Sequence, residues 1–430
     1  TIVAGVLFGL VPAVRSTRAD LAETFKEGGR SATGGAGTTR LRGALVVSEV
    51  AIALLLLIGA GLMMKSFVRL QGVRPGFDPD DLLTARVALP ARAYPGDTAV
   101  VAFYDQLLER VRRLPRVQGA AVTSVLPFSG DNTDVSVLIE GRPTPPPGQV
   151  PTLWYRLVSA DYLRTMGVAL RSGRMLSDAD RAGGARVALI NQTAAARFWP
   201  GESAVGKRVR IGGSAEEPWT EIVGVVGDVR HTSLGLPPTP ELYLPFAQDP
   251  SRGVTLVLRA DGAPERLTTA VRAELAQLDP TLPLSDVQTM ATRLGQSLTL
   301  PRLYMTLFAV FSGVALVLAA IGIYGTMAYS VAQRTHEIGI RMALGAQARD
   351  VLRMVVGQGA LLATAGIAAG LLAALLVTRV MRTLLFEVST TDPVTFVGVP
   401  LVLATVALLA SWLPARRATR VDPVVAFRVD

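Results

Sequence analysis

Four stretches of about 20 residues carry almost no charge: Ala44 to Met64, Leu303 to Ala328, Val355 to Val377 and Val394 to Leu413. A helix rising about 1.5 Å per residue crosses the roughly 30 Å hydrocarbon layer in that length, so each run is long enough to span a bilayer. The first two runs are separated by more than two hundred residues with an ordinary globular content of charge. Half of the 430 residues are hydrophobic while 18% are charged, the balance expected of a folded domain tied to membrane helices. The expected fold is therefore a multi-pass α-helical membrane protein with an extracytoplasmic α+β domain.

The chain has no cysteine, which excludes disulfides and thiolate metal sites. Its two histidines, His231 and His336, leave little for a zinc site or a histidine-based triad. The formal charge of +9 follows the membrane, not a nucleic acid, because the arginines cluster beside the apolar runs and no aromatic-plus-basic module accompanies them. Lys and Arg number six in residues 15–43, four in 331–354 and four in 415–430, against two in 379–393. The positive-inside rule puts the first three segments in the cytoplasm, and helix parity puts residues 75–300 outside it. Lys65, Arg69 and Arg74 run against the rule, but they precede a long segment, and long segments translocate largely regardless of charge.

The external segment alternates strand and helix patterns. "DLLTARVAL", "TAVVAFYDQLLERVRRL" and "GAAVTSVLPF" read as strand, helix and strand, and "GVTLVLRA", "APERLTTAVRAELAQL" and "LPLSDVQTM" repeat that order. These two halves bracket a β-rich insert expected over about residues 151–246. A second repeat appears at larger scale: "PAVRSTRADLAETFK" (Pro12 to Lys26) aligns without a gap on "PARRATRVDPVVAFR" (Pro414 to Arg428). We expect a duplication, with residues 1–14 the end of a spanning helix from a preceding copy, residues 15–43 a cytoplasmic linker containing the flexible "GGRSATGGAGTTR", and residues 414–430 a cytoplasmic tail.

Several local patterns suggest chemistry and fail its requirements. "GESAVGKR" approaches the phosphate loop, but Arg208 stands where a magnesium-binding hydroxyl is needed and a strand follows where a helix is needed, so a turn is expected. Asp131, Asp134, Asp178, Asp180 and Asp228 lack acid/base partners at readable spacing and read as turns or caps. Glu49 lies inside the first apolar run but near enough to its end to reach water or Arg42. Gly366 and Gly370 form a small-xxx-small pair suited to close helix packing, within the chain or in a dimer. "HEIGIRMALGAQARDV", between the second and third runs, keeps an apolar stripe through Ile338, Met342 and Leu344, with Glu337 and Arg341 on a polar face and Gly339 and Gly345 as breaks. It reads as one or two short amphipathic helices at the membrane surface.

"EIGIRMALGA" after a long apolar helix resembles the signature of the MacB/FtsX-like ABC transporter permeases. "SEVAIALLLLIGAGLMMKSF", "VSADYLRTMGVALRSGRMLSDAD", "VALINQTAAARFWPGESAVGKRVRIGG", "EIVGVVGDVRH" and "PARRATRVDPVVAFR" extend the resemblance over nearly the whole chain. The repeat further resembles the duplicated type known as acidobacterial duplicated orphan permeases. The resemblance implies four spanning helices per copy, a large external domain between the first and second, and a coupling loop between the second and third that docks on a cytoplasmic ABC ATPase. Carried onto this chain, that loop is residues 331–354, with Glu337, Ile338, Gly339, Arg341, Leu344 and Gly345 as the ATPase-coupling residues.

The function implied is that of a bacterial inner-membrane permease subunit for export, efflux or mechanotransmission. It is not itself an enzyme and needs no cofactor. Its implied partners are the ATPase, a second permease copy from the upstream repeat or a homodimer, a periplasmic adaptor and membrane lipid, with no nucleic acid. The competing expectation is a membrane-anchored sensor or regulator of an envelope process that works without transport.

Overall fold

The computed structural model describes residues 35–146, 148–214, 216–344 and 347–419. The elements run in chain order α1 (Gly35–Gln71), β1 (Leu82–Ala88), α2 (Asp97–Arg112), β2 (Val117–Thr123), β3 (Asp134–Ile139), β4 (Thr152–Val158), α3 (Tyr162–Thr165), β5 (Leu170–Gly173), β6 (Val187–Asn191), α4 (Gln192–Phe198), β7 (Arg208–Ile211), β8 (Trp219–Val226), β9 (Glu241–Pro245), β10 (Gly253–Ala260), α5 (Leu267–Leu278), β11 (Ser285–Thr289), α6 (Met290–Ser297), α7 (Thr299–Gln333), α8 (Thr335–Ala343), α9 (Ala348–Val380) and α10 (Pro393–Ala418). They divide into a domain over residues 66–304 and a helical unit whose described residues are 35–65, 305–344 and 347–419. The segment Pro12 to Lys26, on which the expected duplication rests, lies outside the described residues.

In the domain, β11, β1, β10 and β2 lie side by side as antiparallel neighbours, with β1 and β10 paired from Leu82↔Arg259 to Ala88↔Gly253. Helix α2 packs through Val100, Phe103, Tyr104, Leu107, Leu108 and Val111, the three-and-four spacing of one helix face, and α5 through Leu267, Val271 and Leu275. The insert is a closed ring. β4 pairs β3, β3 pairs β7, β7 pairs β8, β8 pairs β6, β6 pairs β9, and β9 returns to β4 in parallel, while β5 adds to β8. Closure removes the exposed strand edges that an open sheet would carry. The ring begins at β3, earlier than the expected boundary near residue 151, so the prolines at 143, 145 and 146 lie in a loop within the insert, not at its edge. β5 passes tightly over β8: Gly173 has φ +77°, and a Cβ there would meet Gly224 Cα at 2.7 Å.

The flat half and the ring join where β2 meets β4 through the pair Thr123↔Val158. Two hydroxyls complete the seam, Ser159 accepting from Val122 N–H and Ser124 from Leu157 N–H, each at 3.0 Å. One apolar cluster nevertheless runs from Leu83, Tyr104 and Leu258 through to Val137, Ile190 and Leu242, and a second, on the opposite face, includes Leu82, Ala121, Leu189 and Tyr243.

Beneath the ring Arg156 and Glu241 are both fully buried. Glu241 accepts from Tyr243 Oη at 2.6 Å and lies 3.1 Å from His231 Nε2 and 3.9 Å from Arg156 Nη2. Burial lowers the His231 pKa, against the pull of the Glu241 carboxylate.

In the helical unit, four helices are long and apolar enough to cross a membrane by length and composition: Arg40–Gln71, Thr299–Gln333, Ala348–Leu384 and Pro393–Ala418. Val46, Val50, Leu54, Ile58 and Leu62 of α1 pack with Ala319 and Ile323 of α7, Ala363 and Ala374 of α9, and Leu403 and Ala407 of α10. Asp392 caps α10 by accepting from Thr395 N at 3.1 Å and Thr395 Oγ1 at 2.9 Å, and Lys65 at the far end of α1 donates to the same carboxylate.

Candidate functional site

The segment linking α7 to α9 consists of α8 and a short break. Arg334 interrupts the helix at its N-cap with φ −103° and ψ 12°, and α8 starts anew with Glu337 in its first turn, where a negative charge suits the helix dipole. Glu337 Oε1 and Arg341 Nη2 stand 2.6 Å apart, four residues along one face, with both side chains about half exposed. Such a pair contributes little to stability and remains free to exchange partners. Arg341 also points Nη1 at Met354 Sδ, 3.4 Å away on α9.

The two apolar residues expected to act together have opposite environments. Ile338 is 3% exposed and packs with Val351 of α9 and Ala418 of α10, with Val331, Met342 and Met354 around it. It seats α8 on its own chain and is not available to a partner. Leu344, at the C-cap, is 83% exposed. Gly339 is buried within α8, and Gly345 lies outside the described residues. Sequence reasoning missed the start of α9. There the Gln347 side chain accepts from Asp350 N–H and the Asp350 carboxylate accepts from Gln347 N–H, a reciprocal capping box that the Gln-x-x-Asp spacing carries.

Gly366 and Gly370 face α1. A Cβ on Gly366 would fall 2.6 Å from Val50 Cβ, and one on Gly370 would fall 2.9 Å from the Ala51 carbonyl oxygen. They belong to a buried stripe, Gly359, Ala363, Gly366, Gly370, Ala374 and Thr378, along α9. Both glycines therefore serve packing inside this chain. Glu49 makes no ion pair among the described residues, and Arg42 lies over the Tyr329 ring, 3.9 Å from its centroid, instead of reaching that carboxylate.

The other sequence candidates are structural. "GESAVGKR" forms a turn before β7, and Arg208 pairs with Glu140. Asp180 accepts from Arg174 through both oxygens at 2.8 Å and from Ser177 N at 2.8 Å, which holds its carboxyl below the usual carboxylate range. Asp228 accepts from Thr193 N–H at 2.9 Å. Among the described residues no cluster of three or more His, Cys, Asp or Glu could hold a metal ion.

A short helix seated by Ile338 between long apolar helices, with a mixed α/β domain earlier in the chain, is the arrangement to set beside known proteins. Residues 44–278 match the MacB-like periplasmic core domain, and residues 309–423 match the FtsX-like permease C-terminal region. The chain belongs to this MacB/FtsX-like permease family, and it is an inner-membrane protein with a large extracytoplasmic domain.

Among curated proteins it is similar to the macrolide export ATP-binding/permease protein MacB of Escherichia coli O157:H7, 27% identical over 341 residues that make up 75% of this chain and 48% of that protein. It is also similar to the protein of that name from Azoarcus sp. (strain BH72), 25% identical over 89% of this chain and 55% of the relative. The chain thus spans about half the length of the curated relatives it matches. Among solved structures it is similar to the periplasmic region of MacB from Actinobacillus actinomycetemcomitans, with TM-score 0.34 and 13% identity over 50% of this chain and 92% of that one. A further similarity, TM-score 0.32 and 13% identity over 47% of this chain and 100% of that one, is to the extracellular domain of the noncanonic ABC-type transporter YknZ from Gram-positive bacteria.

Proposed function

We propose that this chain is the permease part of an ABC-type export or mechanotransmission system, in which a separate cytoplasmic ATPase drives movement of the extracytoplasmic domain. The observation that carries the reading is the division of labour in α8. Ile338 fixes the helix to α9 and α10, while Leu344 and the Glu337–Arg341 pair stay outward. A helix seated on two spanning helices and tipped with an unburied leucine is a handle through which a partner can push. The four apolar helices contain few charged side chains, which suits transmission of motion better than a polar conduit. A second permease copy, supplied by an upstream repeat or a homodimer, and a periplasmic adaptor complete the proposed assembly.

The test is ATPase stimulation in a reconstituted complex of the full-length protein with its ATPase. Burying Leu344 on a partner is worth roughly 1.5–3 kcal/mol, about 10- to 100-fold in affinity, so Leu344→Ala should weaken docking by that factor at unchanged expression. Glu337→Lys removes the charge pair and should uncouple stimulation as well. Wild-type stimulation in both variants would reject the coupling role and leave α8 as a helix resting on lipid.

A further inference from the structure

The first turns of α1, the last turns of α7 and inner turns of α9 around Gln358 to Leu362 border an open cavity of about 250 Å³. Arg42, just before the run that begins at Ala44, and Arg334, just after the run that ends at Ala328, both line it. None of its lining residues is acidic. Arg42 lies with its guanidinium carbon 3.9 Å above the centre of the Tyr329 ring, which holds the planar group by its face and leaves its N–H edges free to donate. Arg334 has no ion pair among the described residues, and Glu337, one turn along, is engaged by Arg341. Ser330 Oγ and Gln358 Oε1, 3.3 Å apart, tie α7 to α9 beside the arginines. The rest of the wall combines Thr326 and Gln333 with Met327, Leu361 and Leu362; Leu361 is 72% exposed, and Gly43 contributes no side chain.

Two guanidinium groups with no ion pair among the described residues, beside the exposed Leu361, match a molecule that is anionic at one end and hydrocarbon at the other. We propose that this cavity binds an anionic glycerophospholipid, its phosphate between Arg42 and Arg334 and an acyl chain along Leu361. Arg334 is also the N-cap of α8, so an occupied site would fix the root of that helix. The proposal rests on the membrane location of the chain and is independent of the ATPase reading, since lipid binding is measured without a nucleotide or a partner.

Purified full-length protein is titrated by native mass spectrometry with phosphatidylglycerol, phosphatidylcholine and inorganic phosphate. A basic side chain near an anionic headgroup contributes roughly a fivefold factor, so two give about 25-fold. Phosphatidylglycerol should therefore bind wild type about 25-fold more tightly than it binds the Arg42→Gln/Arg334→Gln variant, and phosphatidylcholine should not distinguish the two proteins. Inorganic phosphate alone should neither bind measurably nor displace the lipid, because it lacks the chain. Arg334→Gln alone alters an exposed side chain and should lose about fivefold, which keeps the test available if the double variant fails to fold. Equal retention of phosphatidylglycerol by wild type and Arg334→Gln overturns the proposal, as does displacement of the lipid by inorganic phosphate, which would mark a free-anion site.

Discussion

Substituting alanine along α9 should give effects of opposite sign at positions of the same residue type. At Gly357 an added Cβ meets nothing within 4 Å. At Gly366 it falls 2.6 Å from both Val50 Cβ and Val50 Cγ1 and 3.0 Å from the Val47 carbonyl oxygen, and at Gly370 2.9 Å from the Ala51 carbonyl oxygen and Leu54 Cδ2. Non-bonded carbons sit at about 3.5–4.0 Å, so α1 and α9 would have to separate by about 1 Å. A carbonyl oxygen cannot rotate aside as a side chain can. The helix-propensity gain of Gly→Ala, up to about 1 kcal/mol, is common to all three sites and cancels in a comparison. What remains is overpacking, about 1–3 kcal/mol per site. Thermal unfolding in detergent should place Gly357→Ala at or above the wild-type Tm, with Gly366→Ala and Gly370→Ala below it. Indistinguishable melting of Gly357→Ala and Gly366→Ala would refute the assigned contact between α1 and α9.

Two further outcomes follow from ion pairs in the separate units. Asp180→Asn should cost the domain about 1–2 kcal/mol, since it removes charge-assisted bonds to a half-exposed Arg174. The folded-state pKa of Asp180 is depressed, so its contribution is complete above the unfolded carboxylate pKa and is lost as pH falls through the folded value. Tryptophan fluorescence, with Trp154, Trp199 and Trp219 in the domain, should show the wild type and Asp180→Asn converging in stability only in that acid range, and a constant gap at all pH values would be inconsistent with this assignment. In the helical unit, Asp392→Ala removes both a cap and an ion pair and should cost about 1–2 kcal/mol in a melt, whereas Lys65→Ala removes only a partly exposed pair and should cost under about 1 kcal/mol. The reverse order would show that the cap contributes nothing.

Hydropathy made the four long apolar helices visible because a bilayer demands a length of apolar residues that no other context requires. The helices run past the apolar runs at both ends, α1 from Gly35 to Gln71 and α7 from Thr299 to Gln333, since helical geometry continues where hydrophobicity stops. The strand-helix-strand halves were legible from period alone. The ring was not: its closing pair joins β4 to β9 in parallel across more than eighty residues, and β3 was separated from its partners by a proline-rich loop that resembled a boundary. Nothing local in "TLWYRLV" announces that Arg156 is fully buried or that Glu241 is buried beside it. The amphipathic segment between the second and third apolar runs was located by its sequence, but a stripe of apolar residues cannot say which members face the chain's own helices. Ile338 and Leu344 are alike in hydropathy and opposite in exposure because the helix ends between them.

The apolar clusters that pass under the β2–β4 seam set how the external domain opens. A seam with one registered pair and two serine acceptors would, by hydrogen bonds alone, be a line along which the flat half and the ring come apart independently. Both clusters cross that line, with Val122 and Leu157 in one and Ala121 and Val158 in the other. Separating the halves would expose apolar surface on both faces of the sheet at once, a cost that far exceeds the few bonds of the seam. Amide protons of β1 and of β8 should thus be released to solvent by the same global event, as expected of a single cooperative unit despite its two architectures.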